Sequence, residues 1–280
     1  MRKPGMGAVA AIAAVAAAAG SVQAAPLVRI RGAVARVVVI PEARNDIQVT
    51  VVRSNPRLPI RVRRFGESVF VDGDIGHRPL TCRHAFGHPA VTVWGRGDIG
   101  WEAMPQIVVR TPMDAHVAAG EAVFGSVGRS DSLDLSSRGC GDWTVANVKG
   151  VMRLSLTGSG DARAGSAGAA DLAVAGSGDV SVQTIAGGLT AVSTGSGDIS
   201  AGQVFGRLNA RVAGSGNIKA LGGQVTFINA QIAGSGDVRF DGVAQTLTAQ
   251  IAGSGDIRVA RVTGNVERRV LGSGDVEVGR

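Results

Sequence analysis

The feature that most constrains the fold of this chain is a four-residue motif, Gly-Ser-Gly-Asp, that recurs through its second half. Counted from a Gly-Cys-Gly-Asp variant, successive copies start 18 to 20 residues apart. The copies start at Gly139, Gly158, Gly176, Gly195, Gly214, Gly234, Gly253 and Gly272. So regular a period is typical of a repeat architecture, in which each unit packs only against its neighbours.

Apolar residues return at the same offsets in each unit. After Asp198 they are Ile199, Ala201, Val204, Leu208, Ala210 and Val212. Alternation by two within a segment predicts strands with one face inward, and the break between segments predicts corners. Helices would need apolar spacing of three and four without glycine pairs, so an α-solenoid is excluded. The pattern predicts an all-β fold, a parallel β-helix or solenoid. We expect it to be right-handed, because crossover connections between parallel strands are overwhelmingly right-handed.

The corner motif has a backbone explanation. Two glycines flanking a serine allow positive φ on either side of the bend and let the coils stack closely. The next residue can accept a hydrogen bond from a nearby backbone N–H in an Asx-type turn. These structural corner residues are Asp142, Asp161, Asp179, Asp198, Asn217, Asp237, Asp256 and Asp275. The alternative is a calcium-binding column, but Asn217 favours the structural interpretation because Asn keeps the turn bond without the charge.

Residues 1–24 have the organisation of a secretory signal peptide. Arg2 and Lys3 form a positive start, residues 6–19 form a short apolar core, and Val22-Gln23-Ala24 is a small-residue cleavage site. We therefore expect an exported protein of the periplasm, cell surface or extracellular space. The formal net charge of +7 suits an anionic polysaccharide or membrane surface, and export argues against nucleic acid as the partner.

The rest of the chain divides into residues 25–111, a β-rich N-terminal region, and residues 112–280, the repeat β-helix. Runs of β-branched residues predict strands at 34–40, 47–52, 58–65, 69–72 and 107–110. They form either a small β-domain or wider first coils that cover the open end of the helix. Residues 73–101, which are rich in Gly, His and Pro, are predicted to be a long loop, and Arg96-Gly97-Asp98 within it a turn.

This loop contains a candidate metal site and a candidate disulfide. The metal-ligand candidates are His77, Cys82, His84 and His88, since imidazole and thiolate are the usual ligands of zinc and copper. The competing interpretation is a disulfide between Cys82 and Cys140, the only two cysteines of the chain, in an oxidising compartment. Cys140 occupies the serine position of a corner, where its side chain can meet an overlying loop.

Tandem Gly-Ser-Gly-[Asp/Asn]-[Val/Ile] units that follow a β-rich segment and a signal peptide resemble the head GIN domain family, described as an auto-transporter adhesin and as a domain of unknown function. The resemblance covers roughly Val34 to the C-terminus. It implies an exported bacterial right-handed β-helix and brings no catalytic residues with it.

Two classes of function follow. The first is a non-catalytic structural or adhesin-like module that binds an envelope glycan or a protein partner through one face, without a cofactor. The second is a polysaccharide-acting enzyme, a lyase or glycoside hydrolase, on a β-helix scaffold. The first is favoured, because the Asp is the same in every coil whereas a catalytic site should interrupt the repeat. The sparse last coil also suggests an end-to-end homodimer.

Overall fold

Strands make up most of the chain. The structure, a computed structural model, describes residues 26–76, 78, 80–85 and 88–279. About 70% of the residues lie in strands, and the described part also contains a 3₁₀ helix, Trp101–Ala103. Within those residues, no helix has the length and apolar character needed to cross a membrane. The predicted signal peptide, residues 1–24, falls outside the described residues.

The strands are numbered in chain order. The N-terminal part contains β1 (Val28–Arg31), β2 (Val34–Pro41), β3 (Gln48–Arg53), β4 (Arg61–Phe65), β5 (Ser68–Asp72), β6 (Leu80–Ala85), β7 (His88–Val93), β8 (Gly97–Gly100) and β9 (Gln106–Thr111). The repeat region contains β10 (Asp114–Ala119), β11 (Ala122–Val127), β12 (Ser132–Gly139), β13 (Trp143–Val145), β14 (Val148–Gly158), β15 (Ala162–Ala164), β16 (Ala167–Gly176), β17 (Val180–Ile185), β18 (Leu189–Gly195), β19 (Ile199–Gly214), β20 (Ile218–Ala220), β21 (Gly223–Gly234), β22 (Val238–Gly253), β23 (Ile257–Val262), β24 (Val266–Gly272) and β25 (Val276–Val278).

These strands form a β-solenoid of about 9 turns with a spacing of about 19 residues, so the predicted parallel β-helix is confirmed. One side, face A, runs in parallel register through β10, β12, β14, β16 and β18, then through the second halves of β19, β21 and β22 to β24. Face B runs through β11, β13, β15 and β17, then through the starts of β19, β20 and β22 to β23 and β25.

The apolar residues of each coil stack into one core that follows the axis of the solenoid. On face A, one inward column runs in register from coil to coil and is buried throughout. Its members are Leu133, Met152, Ala170, Leu189, Leu208, Ile228 and Leu247. Trp143 and Phe240 are the largest fully buried side chains and belong to face B. The period-two alternation seen in the sequence is therefore the alternation between core and surface.

The N-terminal strands join the same stack, in an order that differs from the order of the chain. β1 pairs in parallel with β10 on one side and with β5 on the other. β2 likewise lies between β11 and β9. Two further strands are antiparallel, β4 against β5 and β3 against β9. β1 and β2, the first strands in the chain, thus lie one layer inside β5 and β9, which follow them in sequence. The solenoid then continues from the other side of β1 and β2, with β10 and β11.

The prediction of a long loop at residues 73–101 is wrong. β6 pairs with β7 and β7 with β8, all antiparallel, and together they form a separate three-stranded sheet, here called the inserted sheet. Its inner residues Val91, Val93 and Ile99 are buried with Phe124 of face B in a second apolar cluster. The Gly, His and Pro content hid this short alternation, because Gly and Pro are typical of turns and loops.

Candidate functional site: a groove along the corner residues

The two glycines of each corner have different roles. Gly158 has φ of +121°, a conformation that L side chains rarely adopt, whereas Gly160 does not have a positive φ. A Cβ atom on either residue would overlap the preceding coil, on the carbonyl oxygens of Gly139 and Gly141 respectively. The expectation of positive φ on both sides of the bend is therefore wrong for the second glycine. That glycine is needed because the backbones of adjacent coils approach too closely for a side chain.

The corner aspartates form a ladder between coils. The backbone N–H of Asp179 donates to Asp161 Oδ1 at 2.9 Å, and that of Asp198 donates to Asp179 Oδ1 at 2.8 Å. The same bond joins each successive pair from Asp142 to Asp275. From Asp142 to Asp256, the expected Asx bond within one turn is thus replaced by a bond to the next coil, whereas the last corner residue, Asp275, accepts the N–H of Val276 in its own turn. Asn217 is part of the ladder and accepts from the Asp237 N–H at 3.0 Å.

An outward row on face B lies beside this ladder. Register pairs Arg163 with Ser181, Ser181 with Ser200, and Ser200 with Lys219. The row then continues to Arg239 and Arg258. Between ladder and row lies a cavity of about 300 Å³, lined among others by Asp161, Asp179 and Asp198. We call the strip formed by ladder and row the face B groove. From the coil of Asp142 to that of Asp256, it presents carboxylate or amide acceptors beside a hydroxyl or cationic donor, and the row ends at Glu277 in the last coil.

The predicted disulfide is present. Cys82 of β6 is bonded to Cys140 of the first corner, with Cα atoms 6.2 Å apart and a sequence separation of 58. The bridge ties the inserted sheet to the solenoid at the position where other corners carry serine. Because the sulfur of Cys82 is in a disulfide, it is not a thiolate ligand, and the predicted zinc set loses that member.

The remaining candidate metal ligands do not form a cluster in the described part. His77 and the side chain of His84 lie outside the described residues. His88 stacks on Trp101, with ring centroids 6.4 Å apart and an angle of 18° between the planes. Among the described residues, no group of three or more His, Cys, Asp and Glu side chains is placed to hold a metal ion. Calcium binding by the corner residues stays the alternative to their predicted structural role.

The face B groove changes character at its N-terminal end. In the strands stacked beyond Asp142, the position that corresponds to the ladder residue is occupied by Phe124 in β11, by Arg36 in β2 and by Gln106 in β9. A cavity of about 320 Å³ opens here, and its lining includes Trp101, Thr144 and Pro89 as well as those ladder positions. We call this cavity the end pocket. At this end of the groove, residues that occur only once replace the Asp and Asn residues of the repeat.

Aromatic and cationic groups are held together in the end pocket. The guanidinium of Arg36 lies 5.0 Å from the centroid of the Trp101 ring, within cation–π range. Trp101 meets Phe124 edge to face, with centroids 5.8 Å apart and an interplanar angle of 74°. Within the described part, the buried Nε of Arg36 has no hydrogen-bond partner. Arg36 Nη1 lies 3.7 Å from Glu102, whose side chain is mostly exposed.

The end pocket has no counterpart among the motifs of the sequence. Arg36, Gln106 and Phe124 occur far apart in the chain, and none of them lies in a Gly-Ser-Gly-Asp unit. They align only because β9, β2 and β11 stack in that order. The available signal was Trp101, one of three tryptophans in the chain, at the edge of the segment that interrupts the strand pattern.

The Arg96-Gly97-Asp98 triplet lies where β7 turns into β8. Arg96 donates to the carbonyl oxygens of Arg57 and Asp74. The hydroxyl of Thr92 donates to Asp98 at 2.6 Å, and Arg83 forms an ion pair with the same carboxylate. These contacts, the Thr92 hydrogen bond first and Arg83 second, lower the pKa of Asp98 from its ordinary value of 3.8. Both charged groups of the triplet are thus engaged within the molecule.

Fold and groove together define a β-solenoid repeat protein whose coils are joined by an Asp/Asn ladder. Residues 184–279 match the model of the family described as "putative auto-transporter adhesin, head GIN domain", which confirms the resemblance over the last third of the chain. No curated protein matches this chain.

Two crystal structures of proteins from Parabacteroides distasonis ATCC 8503 are similar in fold. One, described as a "putative lipid binding protein", is 18% identical, with a TM-score of 0.55 over 91% of this chain and 92% of that one. The other, described as a "putative adhesin", is 16% identical, with a TM-score of 0.50 over 90% of this chain and 91% of that one. At these identities the likeness shows the shared fold.

Proposed function

We propose that this protein is an exported, non-catalytic module that binds a glycan of the cell envelope or cell surface along the face B groove. The observation that carries the proposal is the composition of the groove. From Asp142 to Asp256, each coil places a carboxylate or amide of the ladder beside a hydroxyl or a cation, as in Asp179 with Ser181 and Asn217 with Lys219. Sugar hydroxyls both donate and accept hydrogen bonds, so they need both kinds of partner along an extended surface.

A binding role is favoured over catalysis because the ladder residues repeat one backbone contact. Asp161 and Asp179 each accept the backbone N–H of the following coil and face the same groove. The groove therefore offers repeated hydrogen-bonding positions, whereas a catalytic site should interrupt the repeat.

Export and a surface role are supported by three observations. The first 24 residues have the pattern of a signal peptide. The Cys82–Cys140 disulfide is of a kind that persists in oxidising compartments. The family model that matches residues 184–279 is described as an adhesin.

The test is co-sedimentation of the purified mature protein with insoluble peptidoglycan sacculi. The groove variant is Ser200→Arg, which the fold should accept because Lys219 follows Ser200 in the same row. The matched control is Ala173→Arg on the outer side of face A, where Arg211 occupies the same column two coils later. We expect Ser200→Arg to weaken binding by about tenfold and Ala173→Arg to leave it unchanged.

Binding that is insensitive to Ser200→Arg but lost in Ala173→Arg would move the site to face A and overturn the proposal. Binding to anionic phospholipid vesicles in place of sacculi would also overturn it. The vesicles are included because one protein of similar fold is described as a lipid binding protein. Release of soluble sugar from the sacculi would contradict the non-catalytic part of the proposal.

A further inference from the structure

We infer that the end pocket binds the terminal ring of the glycan, and that this ring is an N-acetylated hexosamine. The inference rests on the proposed function, since it assigns a role to one end of the same groove. The starting point is the break in the ladder, where Phe124 and Arg36 replace the repeated acid of the coils from Asp142 onward. A local exception in a repeat is the expected place for a group that recognises one part of a ligand.

The size of the end pocket fits one sugar ring. Its volume is about 320 Å³, at the small end of the range of about 300–1,000 Å³ that is usual for ligand pockets. The next coils of the groove, from Asp161 to Asp198, follow directly along face B. Trp101 and Pro89 belong to the segment inserted over the N-terminal coils. A chain lying in the groove would therefore place its end against Trp101.

The apolar wall of the pocket suits the parts of an N-acetylated sugar that carry no hydroxyl. Trp101 and Phe124 meet edge to face, and Pro89 lies on the same lining. Aromatic rings pack favourably against apolar C–H surfaces. Both the C–H face of a pyranose ring and the methyl of an acetamido group present such a surface.

The polar wall suits the amide of the acetamido group. Arg36 stands over Trp101, and within the described residues its Nε has no acceptor, a condition that costs free energy in a buried group. A carbonyl oxygen brought in by the ligand would give this guanidinium an acceptor. Gln106 lines the same cavity and carries the acceptor oxygen that an amide N–H needs. Donor, acceptor and aromatic rings thus line one cavity.

The probe for this inference is N,N′-diacetylchitobiose, a disaccharide short enough to fill the pocket without reaching the coil of Ser200. Its binding is measured by calorimetry to the wild type and to two Arg variants. Thr144→Arg fills the pocket, and the fold should accept it because Arg163 follows Thr144 in the same row. Ala173→Arg on face A is the control. We expect Thr144→Arg to weaken disaccharide binding by about tenfold or more, with the control unchanged.

A second measurement does not depend on any variant of the pocket. Trp94 is 70% exposed and Trp143 is 1% exposed, so in a Trp94→Phe protein the partly buried Trp101 is the reporter of binding. We expect the disaccharide to change its fluorescence, saturating at the calorimetric affinity.

The experiments can refute the inference about the end pocket without refuting the proposed function. If sacculi bind in a way that Ser200→Arg weakens, while the disaccharide does not bind or binds Thr144→Arg as tightly as wild type, the inference is overturned and the proposed function stands. If sacculi do not bind, the proposed function is overturned, and the inference falls with it.

Discussion

Asp198 accepts two hydrogen bonds from Asn217 on one oxygen: the backbone N–H at 2.7 Å and the side-chain Nδ2 at 2.9 Å from Oδ1. Asn217 in turn accepts the backbone N–H of Asp237 through its own Oδ1. The ladder therefore continues through a residue without charge. What the corner requires is an acceptor oxygen at the right distance, and an amide provides one as well as a carboxylate.

This predicts a difference between two substitutions of Asp179. Asp179→Asn keeps the acceptor for the Asp198 N–H and should change the free energy of unfolding little. Asp179→Ala leaves that N–H without its partner and should lower the free energy of unfolding by about 1 kcal/mol. Urea unfolding of both variants measures the difference. Equal destabilisation by Asn and Ala would mean that the charge itself stabilises the corner.

Neighbouring corner residues should differ sharply in how much a substitution by alanine destabilises the protein. A Cβ on Gly197 would overlap the carbonyl oxygen of Gly178 in the preceding coil. Gly197→Ala should therefore lower the free energy of unfolding by about 3 kcal/mol, as for overpacking against backbone. Ser196 is exposed, so Ser196→Ala is the matched control and should have little effect. Comparable losses in the two variants would contradict this account of coil stacking.

The disulfide should stabilise the inserted sheet more than the solenoid. A bridge that closes a loop of 58 residues contributes about 4 kcal/mol in the chain-entropy model. Cys140→Ser restores the residue that other corners carry, so the coil itself should remain intact. Hydrogen–deuterium exchange should show lost protection in β6, β7 and β8 and unchanged protection in β16 and β18. Loss of protection throughout the solenoid would show instead that the bridge holds the whole fold.

The pKa of Asp98 gives a test of the hairpin between β7 and β8. Its folded-state pKa is lowered, first by the Thr92 hydrogen bond and then by Arg83. The linked stability is therefore fully present above the ordinary value of 3.8 and is lost as the pH falls through the lower folded value. NMR titration should place the midpoint of Asp98 below 3.8, and Thr92→Val should raise it. An unchanged midpoint in Thr92→Val would show that the hydroxyl does not set the pKa.

The repeat could be predicted from the sequence because each of its elements is local. The spacing of Gly158 and Gly176, the alternation after Asp198 and the serine position of Cys140 are all contained within single coils. The solenoid, the corner residues as a set and the disulfide partner followed from them. The handedness of the coil stays a prediction from the rule for parallel crossovers.

The end pocket could not be predicted because it depends on the order in which distant strands stack. Arg36 lies beside Phe124 only because the chain begins at the second layer of the stack and adds the outer layer later. No repeat in the sequence indicates the order in which these strands stack. The sequence also could not show whether each Asp side chain accepts a hydrogen bond within its own corner or from the next coil. Both arrangements require the same residue at the same position.

The most direct test of the account is a hydrogen–deuterium exchange footprint of soluble peptidoglycan glycan strands on the wild-type protein. We expect slower exchange along face B, in the segments that contain Asp161, Asp179 and Asp198, with no change on face A around Ala173 and with the strands recovered at their original length. Protection confined to face A, or shortened strands, would contradict the claim that the groove binds a glycan without cleaving it.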